Sequence, residues 1–364
     1  MKHTRTKTPK RKLRGWVKFG LIPFLLVVLL VGGYGVHLYI KAGSTMNDAY
    51  EDDGRDKSDL RDDYVDPKFD NVTVLLMGID ENEKRSERGE PTRTDALILA
   101  SLNKDDKSVK LLSIPRDSYV YIPEVGYEDK INHAHAFGGT RATIDTVENL
   151  LDIPVDYYVK VNFNAFVDVV DAIGGIDVEV PYEFKESNSK DKRDSIHLMP
   201  GEQTLDGEEA LALARTRKQD TDVMRGQRQL EIVDAMVSKV ASVSSVLKYD
   251  DVIEAVGKNM STNMTFTEMK SFFSYATHGS KIDIEKLSLE GYDYQPEGIY
   301  YWQLDHEELQ NTINTLKTHL ELIEASEEES SKQDGLENNG YGNEQIYEED
   351  NGYENEQIYE DNIE

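Results

Sequence analysis

The sequence predicts an α/β fold, a mixed central β-sheet flanked by helices, preceded by one transmembrane helix. Three observations carry this reading. Short apolar runs alternate with helical periodicity through the middle of the chain, residues 19–40 contain no Asp, Glu, Lys or Arg, and both flanks of the middle are strongly charged. The 364 residues, 38% apolar and 30% charged, suffice for one large globular domain with appendages. Cysteine is absent, which excludes disulfides, thiolate metal sites and cysteine nucleophiles, so the domain must be held by its own core.

The N-terminus sets the compartment. Lys2, Arg5, Lys7, Lys10, Arg11, Lys12, Arg14 and Lys18 make residues 1–18 a basic segment without a single acid. In helical form, residues 19–40 span about 33 Å, the thickness of a bilayer core. Trp16 at one end and Tyr34 with Tyr39 at the other suit an aromatic interface belt, and the positive-inside rule keeps the basic flank in the cytoplasm. Everything after Lys41 is therefore expected outside: a single-pass, type II protein of the cell membrane with an extracellular domain. A cleaved signal peptide, with Ala42 and Ser44 mimicking its site, is the alternative; the length of the apolar run favours an anchor. Residues 41–70, rich in Asp, Glu, Lys and Arg without hydrophobic period, read as a solvated stalk.

Residues 71–325 form the expected domain. NVTVLLMGI (71–79), DALILASLN (95–103), KLLSI (110–114), YYVKV (157–161), IDVEV (176–180) and residues 284–289 are strand candidates. Between them, residues 140–151 carry an Ile144, Val147, Leu151 stripe, residues 164–173 end in Gly174 and Gly175, and residues 206–245 show helical period with a break near Gln219. Thr265 with Glu268 and Asp305 with Glu308 are capping-box pairs that open two later helices. Residues 326–364 read as an acidic disordered tail: from Glu327 to Glu364 fourteen acids face the single base Lys332, and GYGNEQIYEED recurs as GYENEQIYED. Tyr347 and Tyr359 sit in that repeat.

Polar clusters interrupt the scaffold where strands end. Asp80 follows the first strand and Arg93 to Asp95 precede the second. Ligands of open α/β sheets gather outside strand ends, so the two carboxylates could share a Mg²⁺ ion, which commonly takes one or two carboxylates plus substrate phosphates; a turn cap or an arginine pair is the plainer role for each. SIPRD places Arg116 and Asp117 after a third strand. DKINHAHAFGG adds Lys130, Asn132, His133, His135, Gly138 and Gly139; the i, i+2 histidines without a third ligand argue against zinc. ALARTRKQDTDVMRGQRQ sets Arg215, Arg217, Arg225 and Arg228 within a chain of net charge −29. Guanidinium forks suit a pyrophosphate, although a solvated helix face with Asp220 and Asp222 as ion-pair partners explains the residues equally well. The overall charge excludes a nucleic-acid partner.

The ordered motifs RTDALIL, SLNKDDKSVKLLSIPRDSYVYIP, DKINHAHAFGG, VENLLDIPVDYYVKVNFNAFVDVVDAIGGIDVEV, LDGEEALALARTRK and DVMRGQRQ resemble the LytR-CpsA-Psr family, from about Val72 to Val237. That resemblance implies an α/β/α sandwich and a Mg²⁺-dependent phosphotransferase. The enzyme would move teichoic acid or a similar anionic glycopolymer from undecaprenyl pyrophosphate to peptidoglycan as a phosphodiester. It implies Asp80 and Asp95 as metal ligands, and Arg93, Arg116, Lys130, Arg215, Arg217, Arg225 and Gln229 around the pyrophosphate. Asp95, Arg116, Arg215 and Arg217 would carry the catalysis. Asp117 and Asp95 are both candidates to take the acceptor proton, and Leu230, Val233, Met236 and Val237 could wall the prenyl chain. Where family patterns often have an aromatic residue before the R-x-R pair, this chain has Ala214. A non-catalytic envelope protein binding the same lipids, or a hydrolase acting at the same site with water, are the alternatives.

Overall fold

The computed structural model describes residues 40–45, 47–80, 91–219, 221–242, 257, 260–277 and 283–324. The basic segment, the expected anchor apart from Ile40, and the acidic tail with its repeat lie outside the described residues. Among the described residues no helix is long and apolar enough to cross a membrane.

Six strands build the central sheet: β1 (Val72–Ile79), β2 (Thr94–Asn103), β3 (Ser108–Ser113), β6 (Tyr157–Asn162), β11 (Met260–Thr262) and β12 (Asp283–Ser288). Their order is β11-β6-β1-β2-β3-β12. β2 runs antiparallel to both β1 and β3, β11 runs antiparallel to β6, β6 lies parallel to β1, and β12 lies parallel to β3, so the sheet is mixed as expected. The period of two explains both faces. Leu75 and Met77 pair with Leu99 and Leu97 and turn to one side, where Ile144, Val147 and Leu151 of α1 (His133–Leu151) and Ile313 and Leu316 of α6 (His306–His319) cover them. Val72, Val74, Ile98, Ala100 and Leu102 turn to the other, against Leu230 and Val233 of α4 (Asp222–Ser242) and Met269 and Phe272 of α5 (Phe266–Thr277). Strands buried on both faces read as continuous apolar runs, which is why these were legible.

A second core joins α2 (Phe163–Ala172), β7 (Ile176–Val180), β10 (Gly201–Leu205) and α3 (Gly207–Arg215) to the far side of α4. β7 pairs with β10, outside the central sheet. Four hairpin strands on the periphery, β4 (Tyr119–Ile122), β5 (Tyr127–Lys130) and the pair β13 (Gly291–Tyr294) with β14 (Tyr301–Leu304), are too short to signal themselves in sequence, as are β8 (Phe184–Glu186) and β9 (Ile196–Leu198). The Thr265 and Glu268 capping box forms with both reciprocal bonds. Asp305 caps Glu307 and Glu308 amides, but its own amide donates to the Glu290 carbonyl instead of to Glu308.

The stalk reading does not hold for the described part of residues 41–70. Arg55 donates to Glu148 and to the Val155 carbonyl, and Arg61 binds Asp156 through Nε at 2.9 Å and Nη2 at 2.7 Å. Tyr50 bridges Thr262, beside β6. Glu51, Arg55 and Arg61, three of the charges that suggested solvation, are ion-paired to the domain.

Candidate active site

Three chain segments converge at one end of the sheet. β1 finishes in a bulge at Gly78 and Ile79, and the Asp80 amide donates to the Arg93 carbonyl at 3.3 Å, so Asp80, Arg93 and Asp95 emerge together. β3 ends beside Ile98, and the Pro115 carbonyl accepts from both the amide and the hydroxyl of Ser118, a tight turn that projects Arg116 and Asp117 toward the same end. The β4–β5 hairpin then returns Lys130 to this turn, where the Asn132 amide donates to the Arg116 carbonyl. Asp80, Arg93, Asp95, Arg116, Asp117 and Lys130, with Asn132 and His133, line one cavity of about 330 Å³.

The ion pairs within it are short. Arg116 Nη1 donates to Asp95 Oδ1 at 2.6 Å, and Lys130 Nζ donates to Asp117 Oδ1 at 2.8 Å. Arg116 Nε also stands 3.6 Å from Asp117 and 3.7 Å from Asp222. Asp222 Oδ1 in turn lies 2.9 Å from Arg225 and 3.5 Å from Arg217, so one carboxylate joins three guanidinium groups drawn from the β3 turn, the α3–α4 connection and α4. Burial alone would depress the Arg116 guanidinium, but Asp95, Asp222 and Asp117 outweigh it and hold the value above the ordinary one. Arg225 is the reverse case: burial, with Arg116 and Arg217 as like charges, brings it down to about 10 despite Asp222. An additional anion would relieve that deficit.

The α3–α4 corner is fixed by its own residues. Asp206 and Glu209 form a capping box at the start of α3, and Thr216 ends the helix. Arg228 donates from Nε to the Leu213 carbonyl and from Nη2 to the Thr216 carbonyl at 2.6 Å, and Gln229 Nε2 donates to the Ala214 carbonyl at 3.2 Å. Arg215 stacks its guanidinium over Phe163 at 4.7 Å. Of the residues singled out in sequence, Asp80, Arg93, Asp95, Arg116 and Lys130 therefore share the cavity. Arg217 and Arg225 connect to it through Asp222, whereas Arg215 and Gln229 do not line it and direct their side chains at the Phe163 ring and the Ala214 carbonyl. His133 pairs with Asp129, and His135 meets Thr92.

Asp222 is the residue that sequence reasoning undervalued. Its sequence context suggests an ion-pair partner on a solvated face, whereas its side chain is 5% exposed and neither oxygen accepts a hydrogen bond. Its signal was present as an acid three residues before Arg225 inside an arginine cluster. Leu230, a candidate for a prenyl wall, is buried with Val233 against the sheet, and Met236 packs in the second core. A larger groove of about 1250 Å³ runs along α4, where Asp177, Glu179, Glu231, Asp234 and Asp283 outnumber Arg228, Lys239 and Lys286, and the two lysines are already paired with Asp177 and Asp234, so its lining is poorly suited to phosphate.

Hard oxygen donors at Asp80 and Asp95 beside several arginines suit a Mg²⁺ ion that draws its remaining ligands from phosphate and water. Among the described residues no group of three or more His, Asp or Glu forms a complete metal cage. The arrangement can bind two linked phosphates, neutralise charge on a departing phosphate and accept a proton.

The LytR_cpsA_psr family matches residues 35–318. The chain is 42% identical over 315 residues to polyisoprenyl-teichoic acid–peptidoglycan teichoic acid transferase TagT of Bacillus subtilis (strain 168), covering 85% of this chain and 96% of that protein. It is 41% identical to TagU of the same organism, covering 81% of this chain and 93% of that one. Among solved structures, TagT bound to LIIa-WTA matches with a TM-score of 0.63 at 41% identity, over 73% of this chain and 97% of that one. The family protein YwtF (TagT) with bound octaprenyl pyrophosphate lipid matches with a TM-score of 0.59 at 38% identity, over 73% and 97%.

Proposed function

The chain belongs to the LytR_cpsA_psr family, and on that footing we propose that its cavity and arginine cluster perform the transfer for which its relatives are named. It is a transferase that moves a teichoic-acid-type glycopolymer from a polyisoprenyl pyrophosphate carrier to peptidoglycan. One observation carries the assignment of the site: Arg116, Arg217 and Arg225 converge on Asp222 beside a carboxylate-lined cavity, in a chain whose net charge is −29.

The chemistry follows from positioning and charge. Arg116, Arg217 and Arg225 hold the pyrophosphate, with Arg93 and Lys130 in the cavity, while Arg215 and Gln229 support the α3–α4 corner that carries Arg217. A sugar hydroxyl of the acceptor attacks the phosphorus on the glycopolymer side. The new P–O bond forms as the P–O–P bond to the carrier breaks, and prenyl phosphate leaves with the bridging oxygen. Guanidinium forks stabilise the charge that develops there. Asp117 or Asp95 takes the hydroxyl proton. Asp80 and Asp95 would hold Mg²⁺, which supplies further charge neutralisation at phosphate oxygens. No nucleotide is needed, since the anhydride already stores the driving force.

Residues 19–40 anchor the protein in the membrane in this reading, with the domain outside, as the charge step across them suggests. Protease added to intact protoplasts should then digest the domain. The transferase reading is tested by following labelled polymer from a prenyl pyrophosphate donor to peptidoglycan fragments with the purified full chain, with and without Mg²⁺. Transfer that depends on Asp95 supports it. Lipid binding without transfer to any wall fragment favours a non-catalytic binding protein, and release of free phosphorylated polymer favours a hydrolase.

A further inference from the structure

The β13–β14 hairpin has no part in the phosphate chemistry, yet it meets the β4–β5 hairpin, which carries Lys130, at the cavity. The Trp302 amide donates to the Asp117 carbonyl at 2.8 Å, which clamps the second hairpin to the turn that carries Arg116. Directly opposed residues of an antiparallel pair share a face, so Tyr119 lies with Lys130 on one hairpin, and Tyr294 with Tyr301 on the other. These faces join. The Tyr119 ring centroid is 4.7 Å from that of Tyr301 and 5.7 Å from that of Tyr294.

Lys130 links this aromatic face to the cavity. Its ammonium pairs with Asp117 and stands 5.6 Å from the Tyr301 ring centroid and 5.8 Å from that of Tyr300. Burial, then Asp293 and more weakly Asp222 and Asp117, push the Tyr300 hydroxyl up to about 12, which puts that ring within the field of the cavity carboxylates. Farther along the same face Tyr294 is 38% exposed and Tyr292 58% exposed, so the rings present free surface leading away from the site.

We propose that this tyrosine face is an acceptor subsite that takes the uncharged pyranose rings of a glycan strand and delivers one sugar hydroxyl to Asp117 and Lys130. The proposal rests on the transferase reading above. Two features select the occupant. Aromatic faces carry negative charge density that attracts the polarised C–H groups on the flat side of a sugar ring. The surrounding carboxylates, Glu128 at Tyr119, Asp129 at Tyr301 and Asp293 at Tyr300, accept hydrogen bonds from hydroxyls but repel a polymer of phosphodiesters. An anionic donor chain is therefore disfavoured on this face, whereas a neutral glycan is not.

Calorimetric titration of the detergent-solubilised full chain with an uncharged β-1,4-linked N-acetylglucosamine tetramer, and separately with a prenyl pyrophosphate, tests the assignment. Tyr294→Ala should weaken oligosaccharide binding about tenfold through lost stacking and leave lipid affinity unchanged. Tyr294→Phe should bind as wild type, and so should Phe69→Ala, an exposed aromatic elsewhere on the domain. Tyr292→Ala provides a second, more exposed change on the same face. In the transfer assay the acceptor KM should rise with kcat little altered. No oligosaccharide binding by the wild type, wild-type binding in both alanine variants, or loss of affinity for the lipid-linked polymer instead would overturn the proposal. Tyrosine-dependent oligosaccharide binding by a protein that transfers nothing would keep the subsite and remove the transferase reading.

Discussion

Asp222 Oδ1 lies 2.9 Å from Arg225 Nη2, with the two side chains 5% and 6% exposed, and no hydrogen bond satisfies either carboxylate oxygen. A buried acid facing three arginines serves as a counter-ion that keeps the guanidinium groups together before any phosphate arrives. Asp222→Asn should therefore destabilise the protein by about 3 kcal/mol, because removing one partner leaves buried like charges uncompensated. Inorganic pyrophosphate should restore part of the loss, about 2.7 kcal/mol at a hundred times its Kd. Urea melts with and without pyrophosphate measure both effects, and a variant as stable as wild type would show that the carboxylate is not the counter-ion.

Arg217 and Arg228 separate binding from architecture. Arg217 is 46% exposed and its 3.5 Å contact with Asp222 adds little stability. Arg217→Lys should melt like wild type but transfer about a hundredfold more slowly, since an ammonium loses the planar two-pronged contact with phosphate oxygens. Asp95→Asn should lose most transfer as well, and the double variant should be little worse than either single one. Arg228→Ala should instead lower stability by about 2 kcal/mol, as two carbonyls of the α3–α4 corner lose a charged donor. Equal stability losses at both arginines in thermal melts would contradict this division.

His319 gives the domain an acid limit. Its imidazole sits between the Ser101 hydroxyl at 2.7 Å and the Ser108 hydroxyl at 2.8 Å, where α6 joins β2 and β3. Burial, reinforced by Lys110, lowers its value from 6.5 to about 4. The unfolded chain thus binds the proton more readily. This contribution is intact above about pH 6.5 and falls by up to about 3 kcal/mol as the pH drops toward 4. Denaturant melts across that range should show the loss in the wild type and a flatter profile in His319→Gln; parallel profiles would exclude His319 as the cause.

The segment before β1 belongs to the fold. Asp156, 2% exposed, binds Arg61 at 2.7 Å and also accepts from the Thr73 amide. Arg61→Ala should cost about 3 kcal/mol by leaving that carboxylate unpaired. A chain beginning at residue 71 should melt well below one beginning at residue 47. Equal melting temperatures would restore the solvated-stalk reading.

What sequence could and could not reveal follows from the range of the interactions. β1 and β2 are legible because both faces are buried and the residues say so locally. The docking of residues 50–70 is invisible locally, since Arg55 finds Glu148 93 positions away and Arg61 finds Asp156 95 positions away. A run of charges looks the same whether water or a distant carboxylate satisfies it. For the site, Asp80, Arg93 and Asp95 are readable as polar residues at strand ends, and Lys130 emerges only through a hairpin whose YEDK strand has no apolar pattern. Asp222 required the fold, because only burial separates a solvated helix-start acid from the counter-ion of three arginines.

In the proposed reaction Arg116, Arg217 and Arg225 hold the carrier pyrophosphate beside Asp95. A crystal structure of the full chain bound to a prenyl pyrophosphate tests this most directly. Both phosphates should lie within hydrogen-bond distance of those three guanidinium groups, at the cavity lined by Asp80 and Asp95. Phosphates seated instead in the groove along Met224 and Glu231, with the three arginines still turned to Asp222 alone, would contradict it.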